Sequence, residues 1–412
     1  MRRLRLGLAV LGLSAAWVPA AGAGILPPLP VPLPPLPVAP LPAPGSGGST
    51  AGSPATPPPP RPSRSPPSSC ADQSVPGVIP FALAVFPCDF PDPMVLQAGG
   101  AWYAYASATG WEPGGHAFPV LRSTDLRHWR FVGDGLTSPP RWSSGDLWGP
   151  SVLSWRGRYL LFYSARVHGG GLHCLAVATA PTPQGPFQTV RRLACRSGRE
   201  RGYIDPAPLI APRRRPYLFF SVDRPRHSIS ALRLSADGLR VIGPPRTILS
   251  VSPRWGALRA RTVEGPWPLH RGAFYYLFYS AGSWSADYRM AYAVSRFPLG
   301  PYFDSAPVPI LSGSAQLPAP GGGSVLTGPG GRNWLAFAAW SALPGYTRGS
   351  QRTMRIAPLH WTPQGMPEVL LSGSSPLARL SPVRGGVPYS VGLGAGRRAG
   401  LIPTRSCPAA CS

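Results

Sequence analysis

Arg261-Thr-Val-Glu-Gly-Pro-Trp267, followed by Ala273-Phe-Tyr-Tyr-Leu-Phe-Tyr-Ser280, sets an acidic residue beside a Gly-Pro turn and then an aromatic, alternating strand. One such pair is an ordinary hairpin signal. This chain spells a related pair five times. The aromatic strand recurs as Ala101-Trp-Tyr-Ala-Tyr-Ala106, Arg158-Tyr-Leu-Leu-Phe-Tyr163, Pro216-Tyr-Leu-Phe-Phe220 and Asn333-Trp-Leu-Ala-Phe337. Aligned on Trp102, Tyr159, Tyr217, Tyr275 and Trp334, the steps are 57, 58, 58 and 59 residues. A period this regular belongs to stacked copies of one supersecondary unit. Between copies run short alternating stretches broken by Gly, Pro and Ser, with no long helical period. About four short strands per repeat make a propeller blade, and five blades make a ring around a channel. The sequence therefore predicts an all-β fold, a five-bladed β-propeller, within residues 70–373.

The segment before each aromatic strand also repeats: Phe90-Pro-Asp-Pro-Met-Val95, Trp148-Gly-Pro-Ser-Val152, Ile204-Asp-Pro-Ala-Pro208, Val263-Glu-Gly-Pro-Trp267 and Pro320-Gly-Gly-Gly-Ser-Val325. Asp92 stands 10 residues ahead of Trp102, Asp205 stands 12 ahead of Tyr217, and Glu264 stands 11 ahead of Tyr275. Equivalent positions in a ring of blades lie on one circle, so these three acids are expected to converge at the channel mouth. The chain has only 15 acidic residues in 412, which makes the coincidence informative. Clustered carboxylates raise each other's cost of ionising, and that is how one of them is kept protonated as an acid.

These motifs together resemble glycoside hydrolase family 43, the arabinanase, arabinofuranosidase and β-xylosidase family of five-bladed propellers. Ser123-Thr-Asp-Leu-Arg-His-Trp129 is similar to its blade-1 element, and Gly185-Pro-Phe187 and Gly300-Pro-Tyr302 to its blade-ending turns. The resemblance implies that Asp92 is the general base, Glu264 the general acid, and Asp205 the residue that orients the acid and tunes its pKa. It also implies inversion at the anomeric carbon, which in such enzymes places the carboxyl groups about 6.5–9.5 Å apart. Relatives carry His in the last blade, beside an axial metal; this chain has Gly322 there, so neither an axial calcium nor any other cofactor is expected.

Trp148, at the blade-2 position aligned with Asp92, either stacks on a sugar or packs between blades. Trp111 and His116 overhang the mouth if their loop folds inward, and Arg289 reaches a sugar hydroxyl or Glu264. Trp267 reads as core.

Met1–Ala23 reads as a secretory signal, with Arg2, Arg3 and Arg5, an apolar Leu6–Val18 and a small-residue Ala21-Gly-Ala23 end. An uncleaved anchor is the alternative. Its apolar part is too short for a transmembrane segment, and none follows. Residues 24–69, rich in Pro, read as a disordered, semi-rigid linker, and 374–412 as a disordered Gly/Arg-rich tail. The six cysteines suggest disulfides: Cys174 and Cys195 flank one stretch of blade 2, Cys70 and Cys88 stand before blade 1, and Cys407 and Cys411 sit in the tail. Their connectivity is open, since six cysteines allow 15 pairings.

The formal charge of +25 comes from 40 basic residues, all Arg. They are scattered, apart from Arg213-Arg-Arg215 in an expected hairpin turn, and no nucleic-acid motif accompanies them. The expected partner is a polysaccharide, with cell-wall association through linker and basic surface, and no nucleic acid. The protein is expected to be secreted and monomeric. The rival reading is a carbohydrate-binding propeller without catalysis. Retaining fructan enzymes of similar fold are excluded, because their Asn-Asp-Pro, Arg-Asp-Pro and Glu-Cys elements are missing at the matching places.

Overall fold

Each aligned aromatic lies on the second strand of a four-stranded antiparallel group. The first group is β2 (Met94–Ala98), β3 (Ala101–Tyr105), β4 (Pro119–Ser123) and β5 (Arg130–Asp134). The second is β6 (Ser143–Trp155), β7 (Arg158–Val167), β8 (His173–Ala180) and β9 (Gln188–Cys195). The third is β10 (Gly202–Ala211), β11 (Arg215–Asp223), β12 (Ser228–Leu234) and β13 (Val241–Ser250). The fourth is β14 (Val263–Arg271), β15 (Phe274–Ala281), β16 (Arg289–Ser295) and β17 (Phe303–Asp304). The last comprises β18 (Gly321–Thr327), β19 (Asn333–Trp340) and β20 (Arg352–Trp361), completed by β1 (Phe86–Asp89) from the other end of the fold. A short β21 (Pro367–Val369) pairs with the far end of β20.

The computed structural model describes residues 84–108, 117–169, 171–195, 202–223, 227–251, 262–304 and 309–371. The predicted signal, linker and tail lie outside the described residues, as do Cys70, Cys407 and Cys411. Among the described residues the fold is all-β, with 3₁₀ turns such as Pro212–Arg214 and no α-helix. That turn joins β10 to β11 and carries Arg213 and Arg214, the latter over the Trp155 ring at 4.6 Å. The arginine triplet thus does the ordinary work of a hairpin end.

Why the second strands are so apolar follows from packing on both faces. Side chains alternate along a strand, and on β7 Leu161 and Tyr163 pack with the first group while Leu160 and Phe162 pack with the third. On β15, Tyr275, Leu277 and Tyr279 face the third group, and Tyr276 and Phe278 face the last. A strand sandwiched between two neighbours needs an unbroken apolar run.

The first strands are neighbours in a cycle: β2 touches β6, β6 touches β10, β10 touches β14, β14 touches β18, and β18 touches β2. The second and third groups are further joined by one parallel pair, Gly202 with His173, and among the described residues no sheet closes on itself. β20 is met on its far side by Phe86–Asp89, which precede the first group in the chain. Covering β20 removes an open edge. Cys174 and Cys195 face each other across β8 and β9 and form a disulfide; Cys88 is disulfide-bonded as well.

Candidate active site

One backbone step recurs in all five groups. Asp92, Gly149, Asp205, Gly265 and Gly322 have φ of 54°, 57°, 53°, 60° and 60°, and stand 57, 56, 60 and 57 residues apart. In β10, β14 and β18 the ladder register skips there, and in β6 it skips beside Trp148. The left-handed step breaks strand pairing and aims the local side chains inward. The sequence alignment of the site is thereby corrected by one residue. Asp92 and Asp205 occupy the left-handed position itself, whereas Glu264 and Trp148 precede a glycine that occupies it. Glycine takes this conformation without strain, so the neighbouring side chain can be large.

Serines lock the steps together. The Gly149 N–H donates to Ser107 Oγ at 2.9 Å, the Gly265 N–H to Ser221 Oγ at 3.0 Å, and the Gly322 N–H to Ser280 Oγ at 2.9 Å. Each of these bonds crosses from one group to the next. Ser164 Oγ donates instead to the Trp148 carbonyl within its own group, at 3.0 Å. These four serines follow the aromatic runs at steps of 57, 57 and 59 residues, a repeat present in the sequence that the aromatic alignment overlooked.

The inward-facing residues line one cavity of about 760 Å³, which Asp92, Asp205, Glu264 and Trp148 all reach. Asp92 accepts from Ser107 Oγ at 2.7 Å and from Arg352 Nη2 at 2.9 Å. Asp205 Oδ2 accepts from Ser221 Oγ at 2.9 Å and the Gly265 N–H at 3.1 Å. Glu264 Oε1 accepts from the Tyr288 hydroxyl at 2.9 Å. Asp205 and Glu264 touch the cavity but are otherwise walled in by protein. Burial first, and then the Asp205 charge, pushes the Glu264 carboxyl up to about 8. Burial, and then the Asp92 charge, likewise raises Asp205. Both are therefore proton-holding groups near neutrality.

Trp148 stacks on His173, a residue of its own group, with ring centres 4.1 Å apart, and it also lines the cavity. Trp267, read as core, is half-buried against two hydrophobic clusters and also reaches the cavity. Arg289 corrects an expectation. It pairs with Asp287 at 2.7 Å and does not line the cavity, because that carboxylate two residues away is within easier reach than Glu264. Trp111 and His116 lie outside the described residues.

Arg352 and Tyr288 went unread as site residues. Arg352 sits at the start of β20 and enters the site because the fold brings that end beside Asp92. Two glycines make room for this. A Cβ on Gly321 would lie 2.1 Å from the Tyr288 ring, and one on Gly322 would lie 2.4 Å from Asp92 Oδ1 and 3.0 Å from Arg352 Nη2. Position 322 thus has neither a side-chain ligand for a metal nor room for one, and the cation facing Asp92 is a guanidinium.

Proton-holding carboxyls and an arginine-paired carboxylate, lining one cavity of an all-β fold, make up an acid–base hydrolytic site. Comparison with known proteins gives that class its family. The model of glycosyl hydrolases family 43 matches residues 81–367. The extracellular endo-α-(1→5)-L-arabinanase 1 of Bacillus subtilis (strain 168) is 25% identical over 238 residues, covering 54% of this chain and 70% of the relative. The extracellular exo-α-(1→5)-L-arabinofuranosidase ArbA of Cellvibrio japonicus (strain Ueda107) is 23% identical over 315 residues, 68% of this chain and 86% of the relative. Among solved structures, a thermostable family-43 glycoside hydrolase superposes with a TM-score of 0.62 at 26% identity, over 70% of this chain and 95% of its own. The chain belongs to glycosyl hydrolase family 43 and is a glycosidase.

Proposed function

We propose that the chain is a secreted, inverting glycosidase, built as a five-bladed propeller, that cleaves arabinose- or xylose-containing polysaccharide. The observation that carries this reading is the meeting of Asp92, Asp205 and Glu264 around one cavity. In the proposed reaction Glu264 gives its proton to the glycosidic oxygen as the bond to the anomeric carbon breaks. Asp92, on the opposite face, takes a proton from a water whose oxygen attacks that carbon. The product sugar leaves with inverted configuration, and the two carboxyls exchange protons with solvent to reset. Asp205, held by Ser221 and the Gly265 amide, keeps negative charge costly beside Glu264 and so favours the protonated acid. Arg352 fixes Asp92, and the reaction as proposed uses no metal or other cofactor.

The arabinan-active names of the relatives support the substrate class, and their extracellular location agrees with the export signal read at Met1–Ala23. No helix among the described residues is long and apolar enough to cross a membrane. The cyclic contact of the five first strands supports the propeller. The test is release of reducing sugar from arabinan, arabinogalactan and arabinoxylan, with the anomer formed first followed by proton NMR. Hydrolysis of at least one polymer with inversion is expected. Binding without hydrolysis of any polymer would leave a carbohydrate-binding propeller, and retention would overturn the assignment of Asp92 as base.

A further inference from the structure

Single exposed aromatics are ordinary, whereas apolar side chains gathered in a cleft mark a binding surface. Trp284 is 42% exposed and Tyr346 is 46% exposed, and both line the same cavity as the three acids. They come from different groups, Trp284 from the loop between β15 and β16 and Tyr346 from the 3₁₀ turn between β19 and β20. Both lean on Trp340, which is fully buried. Its ring stacks on Trp284 at 5.9 Å and meets Tyr346 edge-on at 4.8 Å.

The pair is also tied in place by polar bonds. Trp340 Nε1 donates to the Trp284 carbonyl at 2.7 Å, and the Ser283 N–H donates to Asp287 Oδ1 at 2.8 Å. The Tyr346 hydroxyl donates to Asp89 Oδ2 at 3.3 Å, and Asp89 Oδ1 in turn accepts from the Arg352 N–H at 2.9 Å. The wall is continuous with the reacting groups. The Arg352 guanidinium carbon lies 6.0 Å from the Trp284 ring centre, and the same guanidinium holds Asp92.

We propose that Trp284 and Tyr346, backed by Trp340, form a second sugar subsite that takes the ring next to the one held between Asp92 and Glu264. A rigid aromatic face matches the C–H face of a neutral sugar ring and adds contact at little ordering cost. Arg352, the cation beside the Trp284 ring, is held by Asp92. The occupant is thus an uncharged furanose or pyranose of the chain, and the proposal rests on the polysaccharide reading above.

The test uses the full chain carrying Glu264→Gln, which is expected to bind without turnover. Arabino- and xylo-oligosaccharides of increasing length, and the free monosaccharides, are titrated calorimetrically. Affinity should rise from one ring to longer chains. Adding Trp284→Ala should shrink that rise about tenfold, the scale of one aromatic contact, with Trp284→Phe restoring most of it and Tyr346→Ala giving a smaller loss. An unchanged length dependence in Trp284→Ala would overturn the subsite, as would an equal loss at every length including the monosaccharide. Failure of the Glu264→Gln parent to bind any of these sugars would overturn the polysaccharide reading, and the subsite with it.

Discussion

The same left-handed step is filled by aspartate at 92 and 205 and by glycine at 149, 265 and 322. For glycine the conformation is free, whereas a side chain there costs roughly 1–2 kcal/mol, least for Asp and Asn. Strain retained at two of five equivalent places points to what those places do. An aspartate on the step has a short side chain on a fixed backbone, so its carboxyl position is set by the fold. Glu264 and Trp148 use the opposite solution, with a strain-free glycine next door and a longer side chain reaching in. Gly322 shows a third: with no side chain at all, it leaves space that Arg352 and Asp92 fill.

The largest effect should come from breaking the two carboxyl solutions separately. Glu264→Gln and Asp92→Asn are each expected to lower turnover of oligosaccharides by roughly 10²–10⁴-fold. The two should differ in what rescues them. An aryl glycoside, whose leaving group needs no proton, should restore much of the rate in Glu264→Gln and none in Asp92→Asn. Equal rescue of both in steady-state assays would remove the distinction between acid and base.

Next in size is the glycine solution. Gly322→Ala adds a Cβ 2.4 Å from Asp92 Oδ1, whereas Gly243, with φ 77°, has nothing within 4 Å of its own. Both substitutions pay for positive φ, about 1 kcal/mol in stability. Only Gly322→Ala must also push Asp92 or Arg352 aside, so a loss of activity of about tenfold or more is expected there and none in Gly243→Ala. Equal activity in the two variants would show that the space at 322 is irrelevant.

Much of this was legible beforehand, for a physical reason. Strands such as β7 and β15 are buried on both faces, which forces aromatic runs that repeat with the fold, and the acids fall 10 to 12 residues before them. What escaped reading depends on closure in space. Nothing around Arg352 in sequence marks it as more than an outer-strand residue, and its neighbour Asp92 is 260 positions away. The one-residue difference between Asp205 and Glu264 was hidden because both precede or occupy a Gly-Pro or Asp-Pro turn, and φ is not spelled by such dipeptides. Arg289 was misjudged because its nearest acid is set by a loop, the feature least determined by local sequence.

Electrostatics sharpens the contrast between the acids of the cavity and one in a turn. Asp125 sits in the β4–β5 turn; despite the opposing effect of its partial burial, bonds from His128, Arg127 and Ser123 hold its carboxyl down to about 2. Glu264 goes the other way. The unfolded chain releases that proton near the ordinary glutamate value and the folded one only near 8, so folding stability falls as pH rises across that interval. Glutamine does not titrate. The melting temperature of Glu264→Gln should therefore gain on the parent as pH rises from about 4.5 toward 8, and a constant difference would contradict the raised pKa.

The smallest effects belong to the serines, which do one job in two electrostatic settings. Ser280 Oγ accepts the Gly322 N–H, and Ser221 Oγ accepts the Gly265 N–H while donating to Asp205. Removing either hydroxyl strands a backbone donor, or weakens its bonding, at a cost of about 1 kcal/mol in unfolding free energy. Ser221→Ala additionally strips from Asp205 a bond that favours its charged form, raising its pKa further. Asp205 then carries less negative charge near neutrality, and Glu264 releases its proton more easily. The alkaline limb of the pH–rate profile should move to lower pH in Ser221→Ala and stay in place in Ser280→Ala, although both melt earlier. If the two profiles coincide, Asp205 does not govern the acid, and its strained aspartate backbone has no catalytic reason to persist.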